Sequence, residues 1–335
     1  MTTHLDFLAG RLDAVTDVPG IRVGHTTDRR RGTGCTVILC DGAQVAAVDA
    51  RGGAPGTRET DVLAGPNLVR TCHAVVFCGG SVFGLDAASG VTRYLADAGI
   101  GFETTAGIAP IVPAAVLFDR GLGKAAAPDA DAGYRAAKRA KGGQVERGTA
   151  GAGTGATVAK LLGDEHCLKG GIGTASITGP RGLVVGAIVA TNPVGMVFDP
   201  DSGLPLAGAR SEQPGCFVPL PEALERRTAE MDAVGENTTL VFVATNATLE
   251  HARVQRLAYQ AHNGLARSIF PAHTLADGDI VFAAAMGEAE TRPHDTLALA
   301  AMVTRAVERA VVDSVRSASG LHGVPSESEW RAGSP

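Results

Sequence analysis

The strongest constraint on the fold is the regular alternation of strand and helix in the last third of the chain. Residues 239–245 (TLVFVAT) and 279–285 (DIVFAAA) are apolar runs that predict buried strands. Each is followed by a segment whose apolar residues recur at helical spacing, 248–267 and 296–315. These elements, in a chain rich in Ala, Val, Leu and Gly, predict closely packed layers of strands and helices.

The earlier part of the chain adds strands joined by glycine turns. Apolar runs predict strands at residues 35–40, 44–49, 73–78, around 176 and at 183–190. Asp41-Gly42, between the first two runs, is a hairpin signal. Ser81 is positioned to cap a helix that continues to about residue 98.

Three polar stretches are predicted to lie on the surface of a single domain spanning residues 1–335. Residues 125–148 are interpreted as helix and loop, and residues 200–236 as an exposed connection with a helical piece near 222–231. The tail from residue 317 to 335 contains Gly, Pro, Ser and charges, so we expect it to be flexible.

Charge and hydropathy exclude several classes of function. The formal net charge of −5 offers no general attraction to nucleic acid or to anionic membranes. No stretch of eighteen uncharged apolar residues predicts a membrane span, and the N-terminus lacks the apolar segment of a secretion signal. The six cysteines form no C-x-x-C pair, which favours reduced, buried thiols. We therefore expect a cytoplasmic protein with no nucleic-acid or membrane partner.

Metal and cofactor motifs are also missing from the sequence. The nine histidines are scattered without an H-E-x-x-H pattern, so no metal is expected. The glycine-rich residues 148–155 lack the Gly-Lys-Ser/Thr of a phosphate loop and the glycine spacing of a dinucleotide site. We interpret them as a turn that lets backbone segments approach closely, and we expect no organic cofactor.

The segment that carries chemistry is Gly235-Glu-Asn-Thr-Thr239, just before a predicted buried strand. A threonine hydroxyl is a weak nucleophile until a nearby base takes its proton. A chain-terminal threonine carries such a base, because its α-amino group has a pKa of about 7.7–8.0. Thr238 would gain that amine if its hydroxyl attacked the Asn237 carbonyl and the Asn237–Thr238 bond then broke. Alone, this pattern is also compatible with an ordinary strand start.

Nearly the whole chain resembles the self-processing family of β-peptidyl aminopeptidases (L-aminopeptidase/D-esterases) and 6-aminohexanoate-oligomer hydrolases. The motifs that carry the resemblance occur in the same order in both. They are TDVPGIRVGH at 16–25, DARGGAPG at 49–56, GGSVFGL at 79–85, PIVPAAVLFD at 110–119, ATNPVG at 190–195 and GENTT at 235–239.

The resemblance implies a role for individual residues. It places the nucleophile on Thr238, a pair of acidic residues that orient the nucleophile and its amine on Asp277 and Asp279, the oxyanion-binding asparagine on Asn192 and a nearby lysine on Lys160. Threonine after asparagine and the Asp-x-Asp pair are similar to the oligomer hydrolases rather than to the β-aminopeptidases.

The resemblance also assigns Ser81 and Phe118 to the substrate pocket. Phe118 departs from the related hydrolases, which carry a tyrosine there, so a hydroxyl donor and acceptor is lost. This change affects the choice of substrate rather than the nucleophile.

The implied protein is a four-layer αββα sandwich of the N-terminal-nucleophile type, cut into residues 1–237 and 238–335. The expected activity is hydrolysis of a small amide or an N-terminal peptide bond through an acyl-enzyme on Thr238, and relatives suggest a homo-oligomer, such as a tetramer. Three alternatives stay open: an endo-acting 6-aminohexanoate-oligomer hydrolase, an acyl transferase like the ornithine acetyltransferases, and an unprocessed binding protein.

Overall fold

The computed structural model describes residues 7–65, 67–227, 236–292 and 295–333. The strands in these residues are β1 Leu8–Ala9, β2 Ile21–Asp28, β3 Thr33–Cys40, β4 Val45–Ala50, β5 Thr57–Arg58, β6 Ala74–Cys78, β7 Phe102–Thr104, β8 Gly107–Ala109, β9 Ala114–Val116, β10 Thr157–Val158, β11 Leu168–Lys169, β12 Gly171–Thr178, β13 Val184–Asn192, β14 Met196–Asp199, β15 Leu204–Ala207, β16 Thr238–Ala247, β17 Ile269–Phe270 and β18 Ile280–Ala289. The helices are α1 Asp86–Asp97, α2 Ala130–Arg139, α3 Leu220–Arg226, α4 His251–Ser268, α5 Asp295–Arg316 and α6 Glu327–Arg331.

Two large sheets form the middle of the molecule. The first has the strand order β1-β12-β13-β16-β18-β4, and the second has the order β2-β3-β6-β9-β5. Within the first sheet, β16 and β18 are parallel and are connected through α4, while β13 pairs antiparallel with β16. The predicted C-terminal strands therefore lie inside the first sheet, with a neighbouring strand on both sides.

Three apolar interfaces stack these sheets and four of the helices into an αββα sandwich. Between the sheets, Phe77 of β6 packs near Phe282 of β18, with ring centroids 6.5 Å apart, and Phe242 of β16 joins the same cluster. Helices α4 and α5 cover the outer face of the first sheet through residues such as Leu257 and Val307. Helices α1 and α2 cover the outer face of the second sheet. The four-layer fold expected from the resemblance is confirmed.

The hairpin predicted at Asp41-Gly42 is wrong. Gly42 does have a positive φ of +77°, as a tight turn requires, but β3 and β4 belong to different sheets. The chain crosses here from the second sheet to the edge of the first, where β4 pairs with β18. A turn dipeptide specifies a local change of direction, whereas burial against distant residues decides which strands pair.

The capping role predicted for Ser81 is also wrong. Ser81 has a φ of +57° and begins a short 3₁₀ segment, and its side chain makes no capping hydrogen bond. Helix α1 begins only at Asp86. The Gly79-Gly80-Ser81 turn is instead fixed by its backbone, because the Ser81 N–H donates to the Leu117 carbonyl.

The tail predicted to be flexible packs against the body of the protein up to residue 333. Ser326 and Glu329 form a capping box that starts α6. This helix buries Trp330, whose indole N–H donates to the Cys216 carbonyl at 3.1 Å. A serine, glutamate and tryptophan at these positions provide a cap and an apolar anchor, which outweigh the tail's polar composition.

The sequence also predicts a helical piece in the region of helix α3, and no membrane span. The helical piece predicted near 222–231 is observed as α3 up to Arg226, and residues 228–231 lie outside the described residues. Over the described parts of the chain, no helix combines the length and the apolar character needed to cross a membrane.

Candidate active site

Thr238 is the first residue of β16, at the point where this strand enters the first sheet. It pairs with Asn192, the last residue of β13, and its side chain is almost completely buried. The Thr238 hydroxyl donates a hydrogen bond to the Asn237 carbonyl oxygen at 2.5 Å. The hydroxyl therefore lies beside the Asn237 carbonyl group, the group whose carbon it would attack to break the Asn237–Thr238 bond.

A backbone amide on the neighbouring loop binds the same carbonyl. The Gly278 N–H donates to the Asn237 oxygen at 2.7 Å, and Asn237 forms a parallel bridge with Asp277. Attack on this carbonyl would place negative charge on its oxygen, where a fixed N–H donor stabilises the transition state. A side chain at Gly278 would obstruct this arrangement, because an added Cβ would lie 2.8 Å from the Thr238 hydroxyl.

Asp277 and Asp279 lie on opposite sides of Gly278 in the loop that leads into β18. Asp279 accepts hydrogen bonds from the Thr239 N–H at 2.7 Å and from His273. Asp277 accepts from the N–H and the hydroxyl of Thr274. Burial, followed by the negative charge of Asp279, raises the pKa of Asp277. The two carboxylates thus form an electrostatically linked pair beside the start of β16.

Asn192 and Lys160 converge on the carbonyl of Glu236, one residue before the candidate cleavage site. The Asn192 amide donates to Glu236 at 3.3 Å and to Phe118 at 3.1 Å, while its oxygen accepts from Thr157. The Lys160 ammonium donates to the carbonyls of Asn192 and Glu236, at 3.0 and 3.3 Å. In the uncut chain these donors hold the Glu236 oxygen rather than the Asn237 oxygen.

Lys160 is buried, and its charge is therefore costly. Burial lowers the pKa of its ammonium to about 8, although nearby groups that include Cys167, Asp164 and Asp277 act in the opposite direction. A lysine with this pKa changes its charge within one pH unit of neutrality, so the electrostatics of the site depend on pH in this range.

A cavity of about 340 Å³ opens next to these groups. Its lining includes Phe118, Lys160, Asp164, Val194, Glu236 and Asn237. Ser81 is not among the described residues that line it, whereas Asp119, which the sequence did not single out, is. Asp119 is buried and accepts from the Thr33 hydroxyl and the Gly80 N–H, and burial raises its pKa to about 6.

The glycine-rich residues 148–155 provide close backbone packing behind this cavity, as the sequence predicts. A Cβ at Gly153 would lie 2.3 Å from the Ile172 nitrogen, and a Cβ at Gly155 would lie 2.0 Å from the Gly32 carbonyl. Gly155 also lines the cavity. Among the described ranges, no group of three His, Cys, Asp or Glu side chains is arranged to hold a metal ion.

Sequence reasoning missed two contributors to the site. Gly278 has no side chain that could mark it as functional, yet its N–H binds the Asn237 carbonyl. His273 precedes Asp279 by six residues, and nothing in that spacing indicates that its ring bonds the carboxylate at 2.8 Å. Both contacts depend on the loop conformation between β17 and β18.

The chain is similar to known proteins over most of its length. The family model for peptidase family S58 matches residues 13–328. An uncharacterized aminopeptidase of Mycobacterium leprae (strain TN) is 40% identical over 349 residues, covering 95% of this chain and 94% of that protein. A 6-aminohexanoate-oligomer endohydrolase of Kocuria sp. (strain KY2) is 31% identical over 277 residues, covering 81% of this chain and 74% of that protein.

A solved structure extends the likeness to the three-dimensional fold. The L-aminopeptidase D-Ala-esterase/amidase of Ochrobactrum anthropi, described as a new variant among the Ntn hydrolase fold, superposes with a TM-score of 0.73. The sequences are 20% identical, and the match covers 96% of this chain and 90% of that one. At this identity the likeness concerns the fold.

Proposed function

The chain belongs to peptidase family S58 and is a hydrolase of peptide or amide bonds, and on this premise we propose that it cuts itself before Thr238 and then uses Thr238 as its nucleophile. The observation that carries the proposal is the hydrogen bond from the Thr238 hydroxyl to the Asn237 carbonyl oxygen, at 2.5 Å. The Gly278 N–H on the same carbonyl supports it.

Self-cleavage would proceed by an amide-to-ester shift. The Thr238 oxygen bonds to the Asn237 carbonyl carbon, the hydroxyl proton passes to the departing Thr238 nitrogen, and the C–N bond breaks. Water then hydrolyses the ester, which leaves a carboxylate on Asn237 and a free amine on Thr238. The Gly278 N–H stabilises the oxyanion in the first step.

Cleavage would also release the donors that substrate hydrolysis requires. In the uncut chain, Asn192 and Lys160 donate to the Glu236 carbonyl. When the new C-terminus at Asn237 moves away, these donors become available to a substrate carbonyl oxygen. Asn192 then acts as an oxyanion donor, and Lys160 supplies positive charge close by.

Substrate hydrolysis would repeat this chemistry with the new amine as base. The Thr238 amine takes the hydroxyl proton, the oxygen attacks the substrate carbonyl, and the amine product leaves with a proton. Water then cleaves the acyl ester on Thr238. Because β16 lies between β13 and β18, residues 238–335 would stay bound to residues 1–237 after the cut.

The substrate is proposed to be a small amide or peptide with a free amino group. A cavity of about 340 Å³ lies at the small end of ligand sites. The mycobacterial relative, named an aminopeptidase, matches more of this chain at higher identity than the endohydrolase does. An endo-acting amidase is the second candidate, because Thr238 and the Asp277/Asp279 pair follow the pattern expected for oligomer hydrolases.

A substrate panel separates these candidates. We expect amino-acid p-nitroanilides and short β-peptides to be hydrolysed, and their N-acetylated forms to be poor substrates. Equal rates on blocked 6-aminohexanoate oligomers would favour the endo-acting enzyme. Acyl transfer to an added amine acceptor, without hydrolysis in its absence, would favour the acyl transferase. Inactivity on the whole panel would contradict the proposed hydrolysis of small amides.

Lys160 leads to a prediction about pH. The Thr238 amine must be neutral to act as base, so the rate rises with pH until that amine, with an ordinary pKa of about 7.7–8.0, has lost its proton. The Lys160 ammonium must be charged, so the rate falls again as pH rises through its pKa of about 8. We therefore expect a bell-shaped profile of kcat/KM with its maximum close to pH 8.

The variant Lys160→Gln tests this assignment. Its rate should be lower by about tenfold or more, because a charged donor is lost. Its basic limb should disappear, whereas the acid limb, which belongs to the Thr238 amine, should stay. A basic limb that persists unchanged in Lys160→Gln would show that another group titrates there.

A further inference from the structure

We propose that His273 is a positioning residue, which holds the Asp279 carboxylate in the orientation that the Thr238 amine requires. The inference rests on the proposed function, in which Thr238 becomes the N-terminal nucleophile. It concerns a residue outside the set of Thr238, Asn192, Lys160 and the two aspartates.

His273 binds one side of the Asp279 carboxylate through two hydrogen bonds. One oxygen, Oδ2, accepts from both the His273 backbone N–H at 3.0 Å and the His273 Nδ1 at 2.8 Å. The other oxygen, Oδ1, accepts from the Thr239 N–H at 2.7 Å. A single residue therefore anchors one side of the carboxylate and leaves the other side facing the start of β16.

Thr274, the residue after His273, binds Asp277 in the same way. Thr274 donates its N–H and its hydroxyl to Oδ2 of Asp277, at 3.0 and 2.6 Å. His273 and Thr274 thus hold Asp279 and Asp277 respectively, each through one backbone and one side-chain donor. This repeated arrangement fixes both carboxylates from one turn of the chain, although their charges repel each other.

The backbone at His273 is adapted to this task. Its φ of +58° lies in the left-handed region, which residues other than glycine seldom occupy, although Asn, Asp and His do so more often than the rest. Such a conformation persists where the surrounding contacts hold it, and it is concentrated at functional sites. Here it directs the N–H and the ring of one residue toward the same carboxylate oxygen.

A second histidine packs against the His273 ring. His262 of α4 is buried and packs edge-to-face against His273, with ring centroids 4.7 Å apart. The Nε2 of His262 lies 3.1 Å from the Asp49 backbone carbonyl, to which it donates. Burial and then the neighbouring His273 lower the pKa of His262 to about 4, so the supporting ring is neutral near pH 7.

The hydrogen bonding of the His273 ring suits a group that orients a carboxylate. A carboxylate oxygen accepts hydrogen bonds, so Nδ1 is the ring nitrogen that donates to Asp279. The other ring nitrogen, Nε2, is buried and has no hydrogen-bond partner among the described residues. Within the described residues, the His273 ring therefore hydrogen-bonds only to Asp279.

Two variants separate the ring's contribution from that of the backbone. His273→Gly removes the ring without strain, because glycine accepts a positive φ. His273→Asn tolerates the same backbone conformation and places an amide nitrogen where Nδ1 was. We expect kcat of His273→Gly, per processed chain, to fall by about 30-fold to 100-fold, since small misplacements in a catalytic site have effects of this size.

A change in kcat without a change in KM identifies His273 as a positioning residue. KM should change by less than about threefold, because the lost contact is not to the substrate. His273→Asn should recover most of kcat and most of the self-cleavage rate. The thermal midpoint of unfolding is measured for both variants. The comparison of kcat between His273→Asn and His273→Gly decides the outcome, even if both variants are less stable than the wild type or are cut slowly.

The outcomes distinguish this inference from the proposed function. A wild-type chain that stays uncut, or a Thr238→Ala variant that stays active, would overturn the proposed function. A cut and active wild type together with His273→Gly at wild-type kcat would overturn only the role of His273. Failure of His273→Asn to improve on His273→Gly would also overturn it, because the Nδ1 donor would then be irrelevant.

Discussion

Replacing Thr238 with alanine is expected to leave one uncut chain and to lower kcat/KM by at least about a thousandfold, as losing a nucleophile does. The physical reason is that both proposed reactions use the same oxygen. It lies 2.5 Å from the Asn237 carbonyl oxygen in the uncut chain and would carry the acyl group during turnover. Denaturing electrophoresis and hydrolysis of an amino-acid p-nitroanilide measure the two effects.

The adjacent threonine provides a matched control. Thr239 lies in the same strand and is equally buried, but its hydroxyl has no hydrogen-bond partner in the described structure. Thr239→Val should therefore cut itself and turn over close to the wild-type rate, and Thr238→Ser should still be cut. Loss of cleavage in Thr239→Val comparable to that in Thr238→Ala would indicate a general defect in the strand rather than loss of a nucleophile.

The second large effect is expected from Gly278→Ala, which should slow self-cleavage by about a hundredfold or more, the size reported for small misplacements of reacting groups. An added Cβ would lie 2.8 Å from the Thr238 hydroxyl and 2.8 Å from the Ala54 carbonyl oxygen. The second contact is with backbone, so the new methyl group cannot be accommodated by a side-chain rotation. The hydroxyl must then move away from the Asn237 carbonyl.

Gly142→Ala is the control for this prediction. No atom lies within 4 Å of a Cβ built there, and its backbone does not need a positive φ. The fraction of cut chain is followed by denaturing electrophoresis over time after rapid purification of each variant. Gly278→Ala that is cut as quickly as Gly142→Ala would contradict the proposed attack geometry.

Much of the fold was predictable from local patterns. The apolar run at 239–245 lies within β16, and the run at 279–285 coincides with β18 from Ile280 onward. The helical pattern at 296–315 lies within α5, and the pattern at 248–267 coincides with α4 from His251 onward. These segments were predictable because burial on a sheet or against one requires a continuous apolar run or face. The hairpin predicted at Asp41-Gly42 is wrong, because the pairing of strands in two sheets depends on contacts between residues far apart in the sequence.

The sequence likewise predicted some residues of the site and not others. The family resemblance pointed to Thr238, Asn192, Lys160 and the two aspartates, and the structure brings these side chains together. It did not point to the backbone N–H of Gly278 or to the ring of His273. A backbone donor leaves no trace in side-chain identity, and a histidine reveals its partner only when the loop that carries it is folded.

Self-cleavage is tested by a denaturing intact-mass spectrum of the freshly purified wild-type chain, compared with that of Thr238→Ala. Self-cleavage before Thr238 predicts two wild-type fragments that meet between Asn237 and Thr238, with threonine at the new N-terminus, and a single uncut mass for the variant. An uncut wild-type chain that hydrolyses amides, or a cut at another bond, would contradict it.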